Sequence, residues 1–117
     1  GSSRVILITD AIRGTGLDDG DYDFFGQKII VRGGVARTPQ GGLSGSTLTM
    51  DQAIRNALNF TGLPFNEVLS MATSVPAEAM GWKGVKGILA PGADADINIL
   101  DAGFNVLRTM IAGQFIN

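Results

Sequence analysis

The 117-residue sequence contains neither cysteine nor histidine. Without cysteine the chain can form no disulfide framework and no thiolate nucleophile, a composition that fits a reducing compartment such as the cytoplasm. Without histidine it lacks the commonest general base and the commonest zinc ligand. A catalytic site complete within these residues would therefore have to use carboxylates, hydroxyls or backbone groups.

Charge of one sign and long apolar runs are also scarce. Nine Lys and Arg residues against eleven Asp and Glu residues give a formal net charge of −2, with no basic run that could follow a phosphate backbone or an anionic lipid surface. No apolar stretch reaches the roughly 20 residues that a membrane-spanning helix needs. We therefore expect no nucleic-acid partner and no membrane partner.

The composition is that of one packed domain with many turns. Seventeen Gly and four Pro residues favour tight turns, while 44% hydrophobic residues are enough for a core. Residues 1–3, Gly-Ser-Ser, are interpreted as the remnant of a cleaved tag, because a strand-like segment follows directly.

Val5-Ile6-Leu7-Ile8 is a continuous apolar run rich in β-branched residues. It predicts a strand covered on both faces, as in a parallel sheet flanked by helices, and it places Asp10 at the carboxyl end of that strand. The Gly- and Asp-rich residues 13–21 predict a loop. The aspartates within 18–23 predict a solvated acidic turn, because they miss the register of a calcium-binding loop.

Further elements are predicted by apolar periodicity and by residues typical of turns and helix ends. A hairpin is expected from Gln27–Arg32 and Val35–Arg37 around the turn Gly33-Gly34. Helices are expected from Met50 to Phe60, from Pro64 onward, and from Pro76 to Gly81. An antiparallel meander is expected from Ile88-Leu89, Ile97–Leu100, Val106–Ile111 and Gln114–Ile116.

Asp10 is a candidate catalytic residue because of its position. In α/β folds, and in barrels above all, catalytic groups lie at the carboxyl ends of parallel strands. A carboxylate there can act as a general base or acid. The alternative is structural, since an aspartate at a strand end often accepts hydrogen bonds from the backbone of the following turn. Position alone leaves both alternatives open.

The small residues 41–46 lie just before the first predicted helix. Free N–H groups and the helix dipole at such a place favour an anionic or polar ligand. The alternative is a loop that only caps the helix. The residues alone do not choose between these two interpretations.

Several segments together resemble one family. They are Thr9-Asp10-Ala11 with the Gly-rich loop after it, Leu43-Ser44-Gly45-Ser46-Thr47-Leu48-Thr49-Met50, Met71-Ala72-Thr73 with Pro76-Ala77, and the run from Lys86 to Asp96. The last motif is typical of amidohydrolases in general, whereas Leu-Ser-Gly-Ser and Thr-Asp-Ala are more specific. On these residues the chain resembles N-acetylglucosamine-6-phosphate deacetylases, from about Arg4 to its end.

The resemblance implies an α/β fold of which this chain is a C-terminal fragment. A (β/α)₈ barrel takes about 250 residues, more than are present. Residues 4–82 then correspond to the last barrel strand and helices, with a hairpin insertion. Residues 83–117 correspond to the C-terminal strands of a small β-sandwich.

The resemblance also implies a reaction, in which the N-acetyl amide of N-acetylglucosamine 6-phosphate, a phosphorylated amino sugar, is hydrolysed with release of acetate. In the family a divalent metal, zinc or iron-like, polarises the carbonyl, and an aspartate takes the proton of the attacking water and delivers it to the leaving amine. Asp10 matches that aspartate. Leu43, Ser44 and Gly45 match a segment that lines the substrate pocket. The family's metal ligands lie upstream, so no metal residue is expected in this chain.

The isolated chain is expected to be inactive, because an aspartate without its metal has nothing to activate. A buried-type strand with unpaired edges should seek partners, which predicts a homo-oligomer. Two other interpretations stay open. The chain could be part of another amidohydrolase, such as a dihydroorotase or imidazolonepropionase relative, or it could be a self-standing interaction module.

Overall fold

An antiparallel sheet organises one of the two compact units of the chain, residues 8–50. The computed structural model describes residues 1–116. The sheet has the order β1–β2–β3, with β1 at Gly20–Phe24, β2 at Gln27–Arg32 and β3 at Val35–Arg37. Gly33 and Gly34 join β2 to β3 with φ values of 58° and 71°. Both are positive, as a two-residue type I′ turn requires, so the predicted hairpin is confirmed.

The core of this unit lies on one face of the sheet. Ile29, Val31 and Ala36 are almost fully buried there, and Ile12 and Tyr22 pack against them. Ile29 and Val31 are two positions apart on β2, and successive side chains of a strand point to opposite faces. The core therefore follows directly from the apolar alternation of β2.

The predicted acidic turn is wrong in part, because β1 begins inside it at Gly20. Asp21 lies in β1 and forms ion pairs with Lys28 at 2.7 Å and with Arg32 at 3.0 Å, both on β2. These residues flank its direct partner Ile30, so the contacts are diagonal cross-strand pairs. The sequence pattern missed β1 because Asp21, although exposed, is stabilised by two cations of the neighbouring strand, which a reading of β1 alone does not show.

Asp19, in the segment before β1, forms hydrogen bonds with the β2–β3 turn. Its carboxylate accepts the N–H of Gly33 and that of Gly34, the latter at 3.2 Å. These bonds, that of Gly33 foremost, hold the pKa of Asp19 below its ordinary value of 3.8. A carboxyl group with a lowered pKa contributes stability above its unfolded pKa and loses that contribution as the pH falls through the folded value.

We expect Asp19→Asn to lower the free energy of unfolding at pH 7 and to flatten its decline below pH 4, since the amide keeps only one acceptor oxygen. Urea unfolding of the chain between pH 2 and pH 7 measures both effects. Asp18→Asn is the matched control, because it makes the same charge change and no group among residues 1–116 bonds the Asp18 carboxylate. Equal pH profiles for the two variants would contradict the role of Asp19.

The other unit comprises residues 1–7 and 51–117, and the helices lie in it, apart from the first residue of α1. They are α1 (Met50–Thr61), α2 (Phe65–Ala72) and α3 (Ser74–Ala79). All three were predicted, although α3 begins two residues before Pro76. Gly81 follows α3 with φ 78°, and its N–H and that of Trp82 bond back to Glu78 and Ala77. This is the Schellman pattern in which glycine is favoured, as predicted.

The C-terminal strands form a second antiparallel sheet, in the order β4–β5–β6. They are β4 (Ile97–Leu100), β5 (Val106–Ile111) and β6 (Gln114–Ile116), as predicted, and Asn117 lies outside the described residues. The predicted strand Ile88-Leu89 is wrong, since neither residue belongs to a strand and Leu89 is 83% exposed. A two-residue apolar run forms a strand only where another strand pairs with it.

Lys86 joins the segment before β4 to the sheet. Its Nζ atom lies 2.8 Å from Asp94 and 2.6 Å from Asp96. Asp96 also accepts the N–H of Ala112 at 2.9 Å, in the turn between β5 and β6. The Asp94 and Asp96 carboxylates raise the pKa of Lys86 above its ordinary value. Within residues 1–116, no helix is both long enough and apolar enough to cross a membrane.

The predicted buried strand at Val5–Ile8 is wrong for this chain. No strand is formed there, and Val5, Ile6 and Ile8 are 45%, 43% and 73% exposed. A parallel strand is stabilised by hydrogen bonds to neighbouring strands on both sides. Among the described residues, the segment has only one backbone–backbone bond to a residue distant in sequence, from Leu7 N–H to the carbonyl of Met71. The apolar run is present, but no strand among residues 1–116 pairs with it and most of its apolar side chains stay exposed.

Candidate functional site

Asp10 lies in an open position, with its side chain exposed. No group among residues 1–116 donates a hydrogen bond to its carboxylate or forms an ion pair with it. The structural alternative, an aspartate that caps its own turn, is therefore not what these residues show. Its φ of 50° is left-handed, a conformation that costs a non-glycine residue about 1–3 kcal/mol and that aspartate adopts more readily than most.

Residues 43–46 lie between β3 and the segment that carries Asp10. Leu43 forms an isolated antiparallel bridge with Arg37 of β3, and the Ser44 N–H donates to Ala36 O at 3.1 Å. Ser46 forms a parallel bridge with Ala11. The two sequence segments singled out as a candidate site, more than 30 residues apart in sequence, are thus in direct contact.

Two backbone bonds make that contact. The Ser46 N–H donates to Asp10 O at 2.8 Å, and the Ile12 N–H donates to Ser46 O at 2.9 Å. Asp10 is therefore held through its own carbonyl, while its side chain stays free. Ser46 belongs to a motif that carries the family resemblance, but the sequence predicts no role for it, because its partners are backbone atoms that no residue pattern reveals.

Gly45 packs closely against Asp10. Its φ is 63°, and a Cβ atom at this position would lie 2.5 Å from Ile12 Cγ2, 2.9 Å from Asp10 O and 3.8 Å from Asp10 Oδ2. Real Cβ atoms do not approach other heavy atoms so closely as the first two distances. Only glycine combines this backbone conformation with this approach.

The other two predicted pocket residues present different groups. Leu43 is 73% exposed, and Ser44 is half-buried. Within the described part of the chain, the N–H groups of Leu43 and Gly45 have no acceptor. Gly45 lies next to the exposed carboxylate of Asp10, and N–H groups without an acceptor are available to a polar ligand.

The residues of this chain do not fit the divalent metal that the resemblance implies. A catalytic zinc site takes three protein ligands, usually histidine or carboxylate. The sequence has no histidine, and residues 1–116 hold no cluster of three potential ligands. Asp10 is a single donor, so residues 1–116 by themselves do not make a metal site.

Comparison with known proteins gives a consistent result. A putative N-acetylgalactosamine-6-phosphate deacetylase of Escherichia coli K12 is 44% identical over 111 residues, which are 95% of this chain and 66% of that protein. The N-acetylglucosamine-6-phosphate deacetylase of Bacillus subtilis is 37% identical over 97% of this chain and 29% of its own length. The chain thus spans two thirds or less of these relatives.

Part of a solved structure has the same fold as this chain. That structure is an Asp-to-Ala variant of N-acetyl-D-glucosamine-6-phosphate deacetylase from Mycobacterium smegmatis in complex with N-acetyl-D-glucosamine-6-phosphate, and it matches with a TM-score of 0.85 and 40% identity over 98% of this chain and 31% of that one. The sequence profile of the amidohydrolase family matches residues 2–116. This protein chain, a mixed α/β structure, therefore belongs to the amidohydrolase family.

Proposed function

We propose that this chain is the C-terminal part of a longer enzyme that hydrolyses the N-acetyl group of N-acetylglucosamine 6-phosphate to glucosamine 6-phosphate and acetate. That longer protein is the full-length enzyme. The observation that carries the proposal is the exposed Asp10 carboxylate, unpaired among residues 1–116, beside Gly45, together with the free N–H groups of Leu43 and Gly45. The family membership and the names of the relatives support the reaction.

In this proposal Asp10 moves the proton. Its carboxylate accepts a proton from the attacking water, whose oxygen bonds to the acetyl carbon. The carboxyl group then gives the proton to the sugar nitrogen as the carbon–nitrogen bond breaks. One group serves as base and then as acid, and it returns to its starting state.

Leu43, Ser44 and Gly45 bind the substrate in this proposal. The free N–H groups of Leu43 and Gly45 suit an acceptor oxygen, such as one of the phosphate ester or the sugar. The tight packing of Gly45 on Asp10 would keep such a ligand close to the carboxylate.

The family's divalent metal must come with ligands from outside this sequence, since the residues present do not form a site. When bound, such an ion supplies Lewis-acid activation of the water and the carbonyl. We propose further that residues 4–82 complete the barrel and 83–117 the β-sandwich of the full-length enzyme. A homo-oligomer and a cytoplasmic location, where sugar phosphates are metabolised, are part of the same proposal.

N-acetylgalactosamine 6-phosphate is a second candidate substrate. The relative with 44% identity is named for that sugar, against 37% for the Bacillus subtilis relative named for N-acetylglucosamine. The two sugars differ only in the configuration of one hydroxyl group, so both would bind at the same site.

Acetate release from both sugar phosphates tests the proposal. We expect the full-length enzyme to release acetate and the 117-residue chain alone to release none above background, because Asp10 has no metal-activated water in the isolated chain. The assay compares the two proteins at equal concentration with and without added divalent metal. Enzyme-like turnover by the isolated chain, or none by the full-length enzyme, would contradict the proposal.

A further inference from the structure

We infer that Ser46 is a positioning residue for Asp10. The inference rests on the proposed function, since it concerns the group that moves the proton. Ser46 does not reach the carboxylate itself. It acts by holding the backbone on both sides of Asp10.

The contacts of Ser46 surround Asp10 along the chain. Its Oγ donates to the carbonyl of Thr9, the residue before Asp10. Its N–H donates to Asp10 O at 2.8 Å, and its carbonyl accepts the Ile12 N–H at 2.9 Å. A second bond to that carbonyl comes from the Thr15 Oγ1 hydroxyl at 3.3 Å. One residue therefore holds the peptide groups before, at and after Asp10.

The hydroxyl of Ser46 is itself held in place. Its Oγ accepts the N–H of Leu48 at 3.0 Å while it donates to Thr9 O. Both the donor and an acceptor position of the hydroxyl are thus used, so its direction is determined. The side chain is half-buried, which limits competition from water.

Asp10 needs such support for two reasons. Its left-handed φ of 50° persists only where the surroundings impose it. Its carboxylate has no partner among residues 1–116, so among these residues the backbone contacts set the point from which the side chain extends. A proton-transfer group must be placed to a fraction of an ångström, and a shift of about 1 Å can lower the rate about 100-fold.

Thr47 provides a matched control. Its Oγ1 also donates to a backbone carbonyl, but that carbonyl belongs to Gly34 in the β2–β3 turn. Thr47→Ala therefore removes the same kind of bond from the neighbouring residue without touching the segment of Asp10. Ser46→Thr keeps the hydroxyl and serves as the conservative variant.

The test uses the full-length enzyme and steady-state acetate release from N-acetylglucosamine 6-phosphate. We expect Ser46→Ala to lower kcat about 10- to 100-fold with little change in KM, since the bond acts on the reacting group and not on substrate affinity. Thr47→Ala should change kcat less than about 3-fold. Ser46→Thr, which keeps the hydroxyl, should retain most of the wild-type kcat. Equal effects of Ser46→Ala and Thr47→Ala would overturn the inference.

A double variant separates positioning from general damage to the fold. In the Asp10→Asn background, Ser46→Ala should lower kcat by less than about a further 2-fold, because there is no carboxylate left to position. If Ser46→Ala lowered kcat in that background by the same factor as in the otherwise wild-type enzyme, the inference would be overturned. If Ser46→Ala does not fold, Ser46→Cys, with similar size and a weaker donor, is measured by the same two criteria.

The two proposals fail in different ways. A full-length enzyme that releases no acetate contradicts the proposed function and, with it, the inference. An active enzyme in which Ser46→Ala behaves as Thr47→Ala does contradicts the inference alone.

Discussion

Asp10→Asn is expected to lower kcat for deacetylation in the full-length enzyme by about 10²- to 10⁴-fold, the usual contribution of a general base or acid. Asparagine keeps the size of the side chain and also tolerates left-handed backbone, so the conformation at φ 50° can persist while the proton acceptor is lost. We expect KM to change little. Acetate release at saturating N-acetylglucosamine 6-phosphate measures the effect.

Asp18→Asn is the control for this variant. Asp18 is exposed, and its carboxylate has no partner among the described residues, as is true of Asp10. The control removes the same charge from the same unit and should leave kcat within about 2-fold, as is usual for surface positions. Activity of Asp10→Asn above about a tenth of the wild-type value would be too high for a general base and would contradict its role.

Gly45→Ala is expected to lower both stability and activity. The left-handed φ of 63° costs alanine about 1–2 kcal/mol, and the overlap with neighbouring atoms costs about 1–3 kcal/mol more. The new methyl group would lie 2.9 Å from Asp10 O, so relief of the overlap moves the backbone of Asp10. We expect kcat to fall about 100-fold, the effect of a displacement near 1 Å. Urea unfolding and acetate release by the full-length enzyme measure the two effects.

Gly41→Ala is the matched control for Gly45→Ala. Gly41 has a φ of 89°, and a Cβ atom there would meet no atom within 4 Å. It therefore carries the conformational cost alone, about 1–2 kcal/mol, and should leave kcat nearly unchanged. If both variants lowered kcat equally, the close approach of Gly45 to Asp10 would not matter for catalysis.

Local signals were sufficient for most helices and hairpins. Gly33-Gly34 determined a two-residue turn because few residues other than glycine accept two successive positive φ values, and Gly81 determined a helix end for the same reason. The strand β1 was missed because Asp21 is stabilised by Lys28 and Arg32, which lie on another strand. The strand predicted at Val5–Ile8 was wrong because an apolar run shows that a segment can be buried, whereas a parallel strand also needs neighbouring strands that pair with it.

Asp10 and the segment 43–45 were chosen from the sequence, by position and by resemblance to a family. Their roles in catalysis and binding stay predictions. What the residues could not show is that the two segments touch, or that Ser46 is the residue that joins them.

By itself, the sequence determined the three helices, the Gly33-Gly34 turn and the strands β2 to β6, since these depend on periodicity and on the φ values that each residue accepts. It also determined that no histidine or cysteine chemistry is available in these residues. Only the tertiary structure decided that Gly45 packs on Asp10 and that Ser46 holds the backbone around it. The physical reason is that these contacts use backbone carbonyl and N–H groups, which every residue carries and which therefore leave no mark on residue type.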